Sequence, residues 1–297
     1  RLLFAPDADL TITDTTGRLI YEAGRDYTID REGRRITRTA DSRLPLTGPT
    51  ALAVDDVRVA DARLAIVTYN HRDDRWDGYI PPDGRVVLPR ARVRLQKSQP
   101  LTLAVIGDSI SEGYDASGFR GVDPQQPPYA PLVAEGLQHR HGSPVTLRNF
   151  AVAGSTSENG RWVAADAAQH LPDLVIVAFG MNDACYVEAE EFAANITDIL
   201  ARIQQVSPES ECLLVTPMRP TAACTWVDAA RFSSYREALQ GLARPGVAVA
   251  DVMQMWDALL ARKHEQDLSG NGSNHPNDFG HRVYAQTILA TLGASRA

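Results

Sequence analysis

Two patterns of apolar and polar residues divide this chain, and the change falls near Leu101. From there on, runs of mainly apolar residues alternate with longer segments of helical periodicity. The apolar runs are LTLAVIGDS, VTLRNFAVAG, DLVIVAFGMND, ECLLVTPMR and VAVADV. Strands that are buried on both faces have such continuous runs, so the pattern predicts a five-stranded parallel sheet with helices on both sides.

Helices are predicted between and after these strands. YAPLVAEGLQHRHG follows the first run, SENGRWVAADAAQHL follows the second, and NDFGHRVYAQTILATLG comes near the end of the chain. After the third run, apolar residues recur at an i, i+4, i+7, i+8 spacing, which indicates a long helix with one buried face. The members of this stripe are Phe192, Ile196, Ile199, Leu200 and Ile203.

Residues 1–97 have a shorter period, in which apolar and polar residues alternate. The stretches LLFA, DLTITD, RLIYEA, DYTID and RRITRT are separated by turn signals, and ALAVDDVRVADARLAIVTYN and GRVVLPRARVRL continue the alternation. This pattern predicts short strands of a small all-β domain, sandwich or jelly-roll-like, with no helix of useful length. The polar segment QKSQP marks a boundary, so we expect an all-β domain over 1–97 and an α/β domain over 101–297.

Composition restricts the classes of protein that fit this pattern. The 297 residues are 44% hydrophobic and 23% charged, which is typical of a globular protein. A net charge of −7 argues against a nucleic-acid partner, and no apolar run approaches the roughly 20 residues that a membrane span needs. The sequence begins at Arg1 rather than at methionine, which leaves open a secreted or periplasmic protein that has lost its signal peptide.

The cysteines give no sign of a metal site. Cys185, Cys212 and Cys224 include no C-x-x-C pair, and no cluster of histidines or carboxylates has ligand spacing, so no metal or cofactor is inferred. A disulfide, if one forms, joins Cys185 to Cys224, because both follow adjacent predicted strands at the same edge of the sheet. Three free thiols are the alternative that the sequence leaves open.

Polar residues follow the first three apolar runs of the α/β part. The runs end in GDS (with Ser109 last), in GST (with Gly154 first) and in GMND, which contains Asn182. Ligands of parallel α/β sheets bind at the carboxyl ends of the strands. We therefore expect these three segments to meet at one edge of the sheet.

This set of residues has a chemical interpretation. A serine hydroxyl becomes a nucleophile when a base, usually histidine, takes its proton. His275, in the segment NHPN before the last predicted helix, is the candidate base. An oxyanion formed at Ser109 needs hydrogen-bond donors. The backbone N–H groups of Ser109 and Gly154 and the side-chain amide of Asn182 are the candidate donors.

Four segments resemble the signature blocks of the SGNH/GDSL hydrolase superfamily: GDSI, the glycine of AVAGS, GMND and NHPN. The resemblance covers residues 101–297 and implies a flavodoxin-like three-layer α/β/α fold. It also implies that Ser109 is the nucleophile, that His275 is its base, and that Gly154 and Asn182 join the Ser109 amide in an oxyanion hole.

The β-rich segment ahead of this domain is similar to the arrangement in two-domain carbohydrate acetyl esterases. The resemblance therefore implies a serine esterase that removes short acyl groups, with acetyl as the expected group, from a carbohydrate or another acylated small molecule. Two other classes stay open: a non-catalytic carbohydrate-binding protein on a weakened hydrolase scaffold, and an acyltransferase or lipase-type esterase.

One position departs from the family pattern. Members commonly have an aspartate three residues before the histidine, which orients the ring, and this chain has Gly272 there. His275 then needs another acceptor, for which Asp267, Asn271, Asn274 and a backbone carbonyl are candidates. A Ser–His dyad without a third member is the alternative.

Overall fold

Two small antiparallel sheets form the first part of the chain in the computed structural model, which describes residues 1–45, 64–72 and 76–293. Strand β1 pairs with β2 and β5 in one sheet, and β3 pairs with β4 in the other. The bounds are β1 Thr11–Thr13, β2 Ile20–Tyr21, β3 Tyr27–Asp30, β4 Arg35–Arg38 and β5 Ile66–Thr68. Residues of these strands and of the loops beside them form a separate small core, which consists of Leu2, Leu10, Ile12, Tyr21, Tyr27 and Leu44.

The alternating pattern predicts most of these strands correctly. LLFA is the exception, since residues 2–5 form no strand, although Leu2 is buried in the small core. Most of ALAVDDVRVADARLAIVTYN lies outside the described residues, which resume at position 64. The sandwich or jelly-roll arrangement therefore stays a prediction, and so do the domain limits 1–97 and 101–297.

The segment GRVVLPRARVRL is helical, and the prediction of a strand there is wrong. Helix α1 spans Pro89–Gln96. Pro89 stands at the first helical position, where its missing N–H removes no hydrogen bond. The Glu211 carboxylate accepts hydrogen bonds from the N–H groups of Arg90 (3.1 Å) and Ala91 (2.8 Å). No local pattern signals this cap, because it comes from a residue 120 positions along the chain from Ala91.

Helix α1 packs against the second part of the chain. Leu88, Ala91 and Leu95 are buried in the same cluster as the strands of the large sheet. The end of the predicted all-β segment therefore contributes to the core of the α/β part.

Five parallel strands form the large sheet. They are β6 Leu101–Gly107, β7 Val145–Asn149, β8 Leu174–Ala178, β9 Glu211–Val215 and β10 Val247–Ala250. The spatial order is β10-β9-β8-β6-β7. Counted from β6 as the first strand, this is the 2-1-3-4-5 order of flavodoxin-like sheets. The predicted five-stranded parallel sheet is confirmed.

Helices cover both faces of this sheet. Two short helices, α2 Ser109–Glu112 and α3 Ser117–Arg120, precede the long ones. The long ones are α4 Tyr129–His141, α5 Ser157–Ala168, α6 Ala189–Val206, α7 Arg231–Gly241, α8 Val252–Leu260 and α9 Asp278–Thr291. One layer consists of α5, α6 and α7, and the other of α4, α8 and α9. Every residue of β8 and β9 is buried, as the continuous apolar runs predict. Within the described residues, no helix is both long and apolar enough to cross a membrane.

Candidate active site

Ser109 lies at the point where β6 ends and a short helix, α2 (Ser109–Glu112), begins. Asp108 caps this helix, because its Oδ1 accepts a hydrogen bond from the Ile110 N–H at 3.0 Å. Ser109 is the first helical residue, so its own N–H has no intrahelical acceptor. The serine therefore presents a hydroxyl and an N–H at the carboxyl edge of the sheet.

His275 reaches the same place from the loop before α9. The Asn277 side chain caps α9 by accepting a hydrogen bond from the Gly280 N–H at 3.0 Å, which fixes the loop just ahead of the helix. The ring atom Nε2 of His275 lies 2.8 Å from Ser109 Oγ, and both side chains are buried. Residues 166 positions apart are thus brought within hydrogen-bond distance.

Gly154 and Asn182 lie on two loops that touch each other. Gly154 has φ +78°, a backbone conformation that favours glycine, and no atom lies within 4 Å of the position that a Cβ would take. The Asn182 side-chain amide donates a hydrogen bond to the Ser155 carbonyl at 2.9 Å. The Glu112 carboxylate accepts from the Ala153 N–H at 2.6 Å, which ties the Gly154 loop to α2.

Asp183 fastens the Asn182 loop to the start of α5. Its carboxylate accepts hydrogen bonds from the N–H of Ser157 at 2.9 Å and from the hydroxyl of the same residue at 2.5 Å. Asn195 donates to that hydroxyl at 3.1 Å. Burial raises the pKa of Asp183, and the two hydrogen bonds from Ser157 partly oppose this rise. The loops that carry Gly154 and Asn182 are consequently held by buried polar contacts.

A comparison with protein families identifies the fold family of this site. Residues 105–283 match the model of the GDSL-like lipase/acylhydrolase family. The chain belongs to the GDSL-like family. The matched span contains Ser109, Gly154, Asn182 and His275, and the sequence resemblance is thereby confirmed at the level of the family.

Individual relatives cover parts of the chain. An arylesterase of Vibrio mimicus is 35% identical over 82 residues, which are 27% of this chain and 37% of the arylesterase. An α/β-hydrolase enzyme from the metagenome of Lake Arreo, Spain, is 26% identical, with a TM-score of 0.54, over 66% of this chain and 97% of that one.

Two solved esterases share the fold at lower identity. A two-domain esterase active on acetylated mannans is 23% identical, with a TM-score of 0.56, over 70% of this chain and 54% of its own. An acetylxylan esterase from Geobacillus stearothermophilus is 20% identical, with a TM-score of 0.54, over 66% of this chain and 97% of its own.

The usual GDSL-family aspartate position is occupied by Gly272. This residue has φ +70°, in the left-handed region that favours glycine. Asp267 is not the substitute, because its carboxylate binds the amino group of Arg1 at 2.9 Å. Among the three candidate side chains, Asn271 contacts the ring, with its Nδ2 at 3.0 Å from His275 Nδ1. Asn274 acts one step away, by accepting from Asn271 at 3.0 Å.

Asp115 is not predicted from the sequence, although it lies beside the same ring atom. Its Oδ2 is 3.3 Å from His275 Nδ1. Asp115 stands six positions after Ser109, beyond the GDSI block, with no fixed spacing to the histidine. The only sequence signal is an acidic residue in the loop YDASG, and this signal does not indicate which way the side chain points.

Burial determines the ionisation of two other groups near the ring. It raises the pKa of Asp108 to about 7, against a smaller lowering by hydrogen bonding and by His275. It lowers the pKa of His281 to about 4, so that this imidazole is neutral. His281 Nδ1 accepts a hydrogen bond from the Tyr129 N–H at 3.3 Å. Its Nε2–H donates one to the Tyr114 carbonyl at 2.9 Å.

An aromatic wall borders the site on the histidine side. The Tyr114 ring centroid lies 5.3 Å from that of His275, and the Phe119 ring lies 5.2 Å beyond Tyr114. Phe119 is 44% exposed, which is unusual for a phenylalanine. The wall therefore offers apolar surface to a molecule that binds next to the imidazole.

The thiols and the possible metal ligands add no further chemistry. Cys185, Cys212 and Cys224 are free, which is the second of the two alternatives from the sequence. In the part of the chain that the structure describes, no group of three histidine, cysteine or acidic side chains is arranged to hold a metal ion.

Proposed function

We propose that this protein is a serine esterase that hydrolyses short-chain esters, with acetyl as the acyl group and a carbohydrate as the alcohol. The observation that carries the proposal is the 2.8 Å distance between Ser109 Oγ and His275 Nε2 in a buried setting. A hydroxyl so placed can lose its proton to the imidazole as it attacks a carbonyl carbon.

The reaction proceeds through an acyl-enzyme. Ser109 Oγ bonds to the ester carbonyl carbon while its proton passes to His275 Nε2. The tetrahedral intermediate collapses, the bond to the alcohol oxygen breaks, and His275 returns the proton to that oxygen. Water then attacks the acyl carbon and gives a proton to His275 Nε2. The bond to Ser109 Oγ breaks, His275 returns the proton to Oγ, and the acid is released.

Three donors are proposed to hold the oxyanion. The Ser109 N–H, at the start of α2, and the Gly154 N–H each donate a hydrogen bond to no described residue. Asn182 gives one amide hydrogen to Ser155 and keeps a second. Donors that are already in place before the reaction stabilise the negative charge that develops in the transition state. Removal of a single such donor lowers kcat by about 10²–10³-fold.

A carbohydrate alcohol is supported by the surroundings of His275. Because this residue protonates the leaving alcohol, the alcohol lies on the histidine side, next to the wall of Tyr114 and Phe119. Aromatic side chains with exposed faces suit the apolar faces of sugar rings. The fold is also shared with esterases described as active on acetylated mannans and acetylated xylan. We further propose that the β-rich segment is an accessory domain to this esterase.

Substitution of the serine tests the proposal. Ser109→Ala is expected to reduce the hydrolysis of p-nitrophenyl acetate more than about 10³-fold, because no other activated nucleophile replaces Oγ. Ser234→Ala, on the exposed surface of α7, is the matched control and should retain wild-type turnover. Hydrolysis by Ser109→Ala at the wild-type rate would contradict the proposal.

Chain length tests the acyl group. With p-nitrophenyl esters from acetate to decanoate, wild-type kcat/KM is expected to fall with each added pair of carbons. A preference for the long esters would contradict a short acyl group and would indicate a lipid substrate. Release of acetate from acetylated mannan or xylan oligosaccharides then tests the alcohol.

A further inference from the structure

We infer that Asp115 is the positioning residue of this site: it replaces the missing family aspartate, holds the His275 proton on Nδ1, and acts against Asn271, which favours the other tautomer. The kinetic part of this inference rests on the proposed esterase function. The tautomer is measurable without turnover.

Asp115 carries a buried oxygen that needs a donor. Its side chain is 13% exposed, and Oδ2 accepts no well-aligned hydrogen bond from any described residue. A buried carboxylate oxygen without a donor has lost its hydrogen bonds to water without replacement, which is unfavourable. His275 Nδ1, at 3.3 Å, can be this donor if it bears the proton. A small movement towards the ring would then complete a hydrogen bond.

Asn271 faces the same nitrogen with a donor of its own. Its Oδ1 accepts from the N–H groups of Ser273 (2.9 Å), Asn274 (3.1 Å) and His275 (3.2 Å), which identifies the oxygen of the amide. The Nδ2 group therefore points at His275 Nδ1, 3.0 Å away. If Nδ1 accepts that hydrogen bond, the ring proton sits on Nε2, and the imidazole cannot take a proton from Ser109.

Charge decides between the two neighbours. A hydrogen bond from the ring to a carboxylate is roughly twice as strong as one between neutral groups. Once His275 has taken the serine proton, the imidazolium has a hydrogen on both nitrogens, and only Asp115 can accept from Nδ1. Asp115 therefore stabilises the ring form that the reaction produces, and Asn271 does not.

The loop of Asp115 is built to hold it at this position. Asp115 has φ +64°, in the left-handed region. On one side of it, His281 donates to the Tyr114 carbonyl at 2.9 Å. On the other side, the Asp278 carboxylate accepts from the Ser117 N–H at 2.8 Å and from its hydroxyl at 2.7 Å.

The histidine loop leaves room for this side chain. A Cβ added to Gly270 would lie 2.5 Å from Asp115 Cβ, so a glycine is needed for the two loops to approach. Arg120 lies 3.7 Å from the other carboxylate oxygen, and both side chains are almost fully buried. The carboxylate is thus held from both loops with a positive charge nearby.

Asp115→Asn is the first test, because asparagine keeps the shape and tolerates the left-handed backbone. The expected result is a fall in kcat of about 10²–10⁴-fold with little change in KM, as for loss of the orienting carboxylate in a serine triad. Asp267→Asn is the matched control, because its carboxylate binds Arg1 rather than the ring. It should keep wild-type kcat.

The ring proton gives a readout that does not depend on turnover. In ¹⁵N NMR spectra of the wild type, His275 is expected as the Nδ1–H tautomer, and in Asp115→Asn as the Nε2–H tautomer. The inference is overturned if the wild-type ring carries its proton on Nε2, or if Asp115→Asn leaves both kcat and the tautomer unchanged.

A second substitution separates orientation from folding. Asn271→Asp keeps the oxygen that binds three N–H groups and replaces the opposing donor with an acceptor for Nδ1. In the Asp115→Asn background it should restore kcat at least tenfold. A merely structural role of Asp115 would not be rescued from this position. On its own, Asn271→Asp should keep or raise kcat, and a fall of more than tenfold would also overturn the inference.

If Ser109→Ala hydrolyses esters like the wild type, the proposed function fails, whereas the tautomer result still decides the role of Asp115.

Discussion

For the titratable residues near Ser109, burial shifts the pKa more than neighbouring charges do. Asp108 caps α2 with Oδ1 and is almost completely enclosed. Burial disfavours its carboxylate form, which raises its pKa to about 7. An unfolded chain has a pKa near 3.9 at this residue. Stability from this group is therefore fully present below about pH 4 and is lost as the pH rises through about 7.

Asp108→Asn is expected to remove this dependence, because asparagine caps a helix equally well and carries no charge. Relative to the wild type, the free energy of unfolding of the variant should rise between pH 5 and pH 8, as measured by urea denaturation. Asp198→Asn is a control. Arg161 and Arg202 hold the pKa of Asp198 below its usual range, so that this carboxylate is ionised at both pH values. An equal change for Asp108→Asn at both pH values would contradict the burial argument.

The sequence allows the motif residues to be predicted, but not their supporting contacts. The four candidate residues lie in short sequence blocks that follow each other in the same order as in the GDSL family: Ser109, Gly154, Asn182 and His275. Asp115 reaches the ring through a left-handed backbone angle and a close approach of two loops, and neither feature has a local signal. The residues of the candidate site could therefore be predicted from the sequence, whereas the groups that contact the His275 ring could not.

At the scale of elements, the strands and helices with strong periodicity were predictable, and α1 was not. VVLPRARVRL alternates like a strand, yet it forms a helix because Glu211 satisfies its first N–H groups and Leu95 is buried against the large sheet. Long-range capping and tertiary packing override a weak local preference.

Glu211→Gln tests this cap. Glutamine keeps the shape but loses one acceptor and the charge near the helix N-terminus, so the unfolding free energy should fall by about 1–2 kcal/mol. Glu209→Gln is the matched control, because Glu209 is exposed and forms only a surface ion pair with Arg90. Its effect should stay below about 0.5 kcal/mol. Equal losses of unfolding free energy in the two variants, measured by urea denaturation, would show that the buried cap stabilises the fold no more than the surface ion pair does.

For the whole molecule, the order of strands explains why the site lies where it does. In the order β10-β9-β8-β6-β7, the connections that follow the adjacent strands β6 and β8 run in opposite directions, and ligands of such sheets bind at the carboxyl edge beside this point. Ser109 follows β6 and Asn182 follows β8, its neighbour in the sheet. The alternating pattern of the α/β part was enough to predict this arrangement, because buried parallel strands have continuous apolar runs.

The activation of Ser109 by His275 is measured most directly by covalent labelling of the intact protein with a fluorophosphonate, followed by peptide mapping by mass spectrometry. Only a serine activated by a base reacts at an appreciable rate. We expect one adduct, on Ser109, and at least 100-fold slower labelling in His275→Ala. The absence of an adduct on Ser109 in folded wild-type protein, or equal labelling rates in the wild type and in His275→Ala, would contradict this activation.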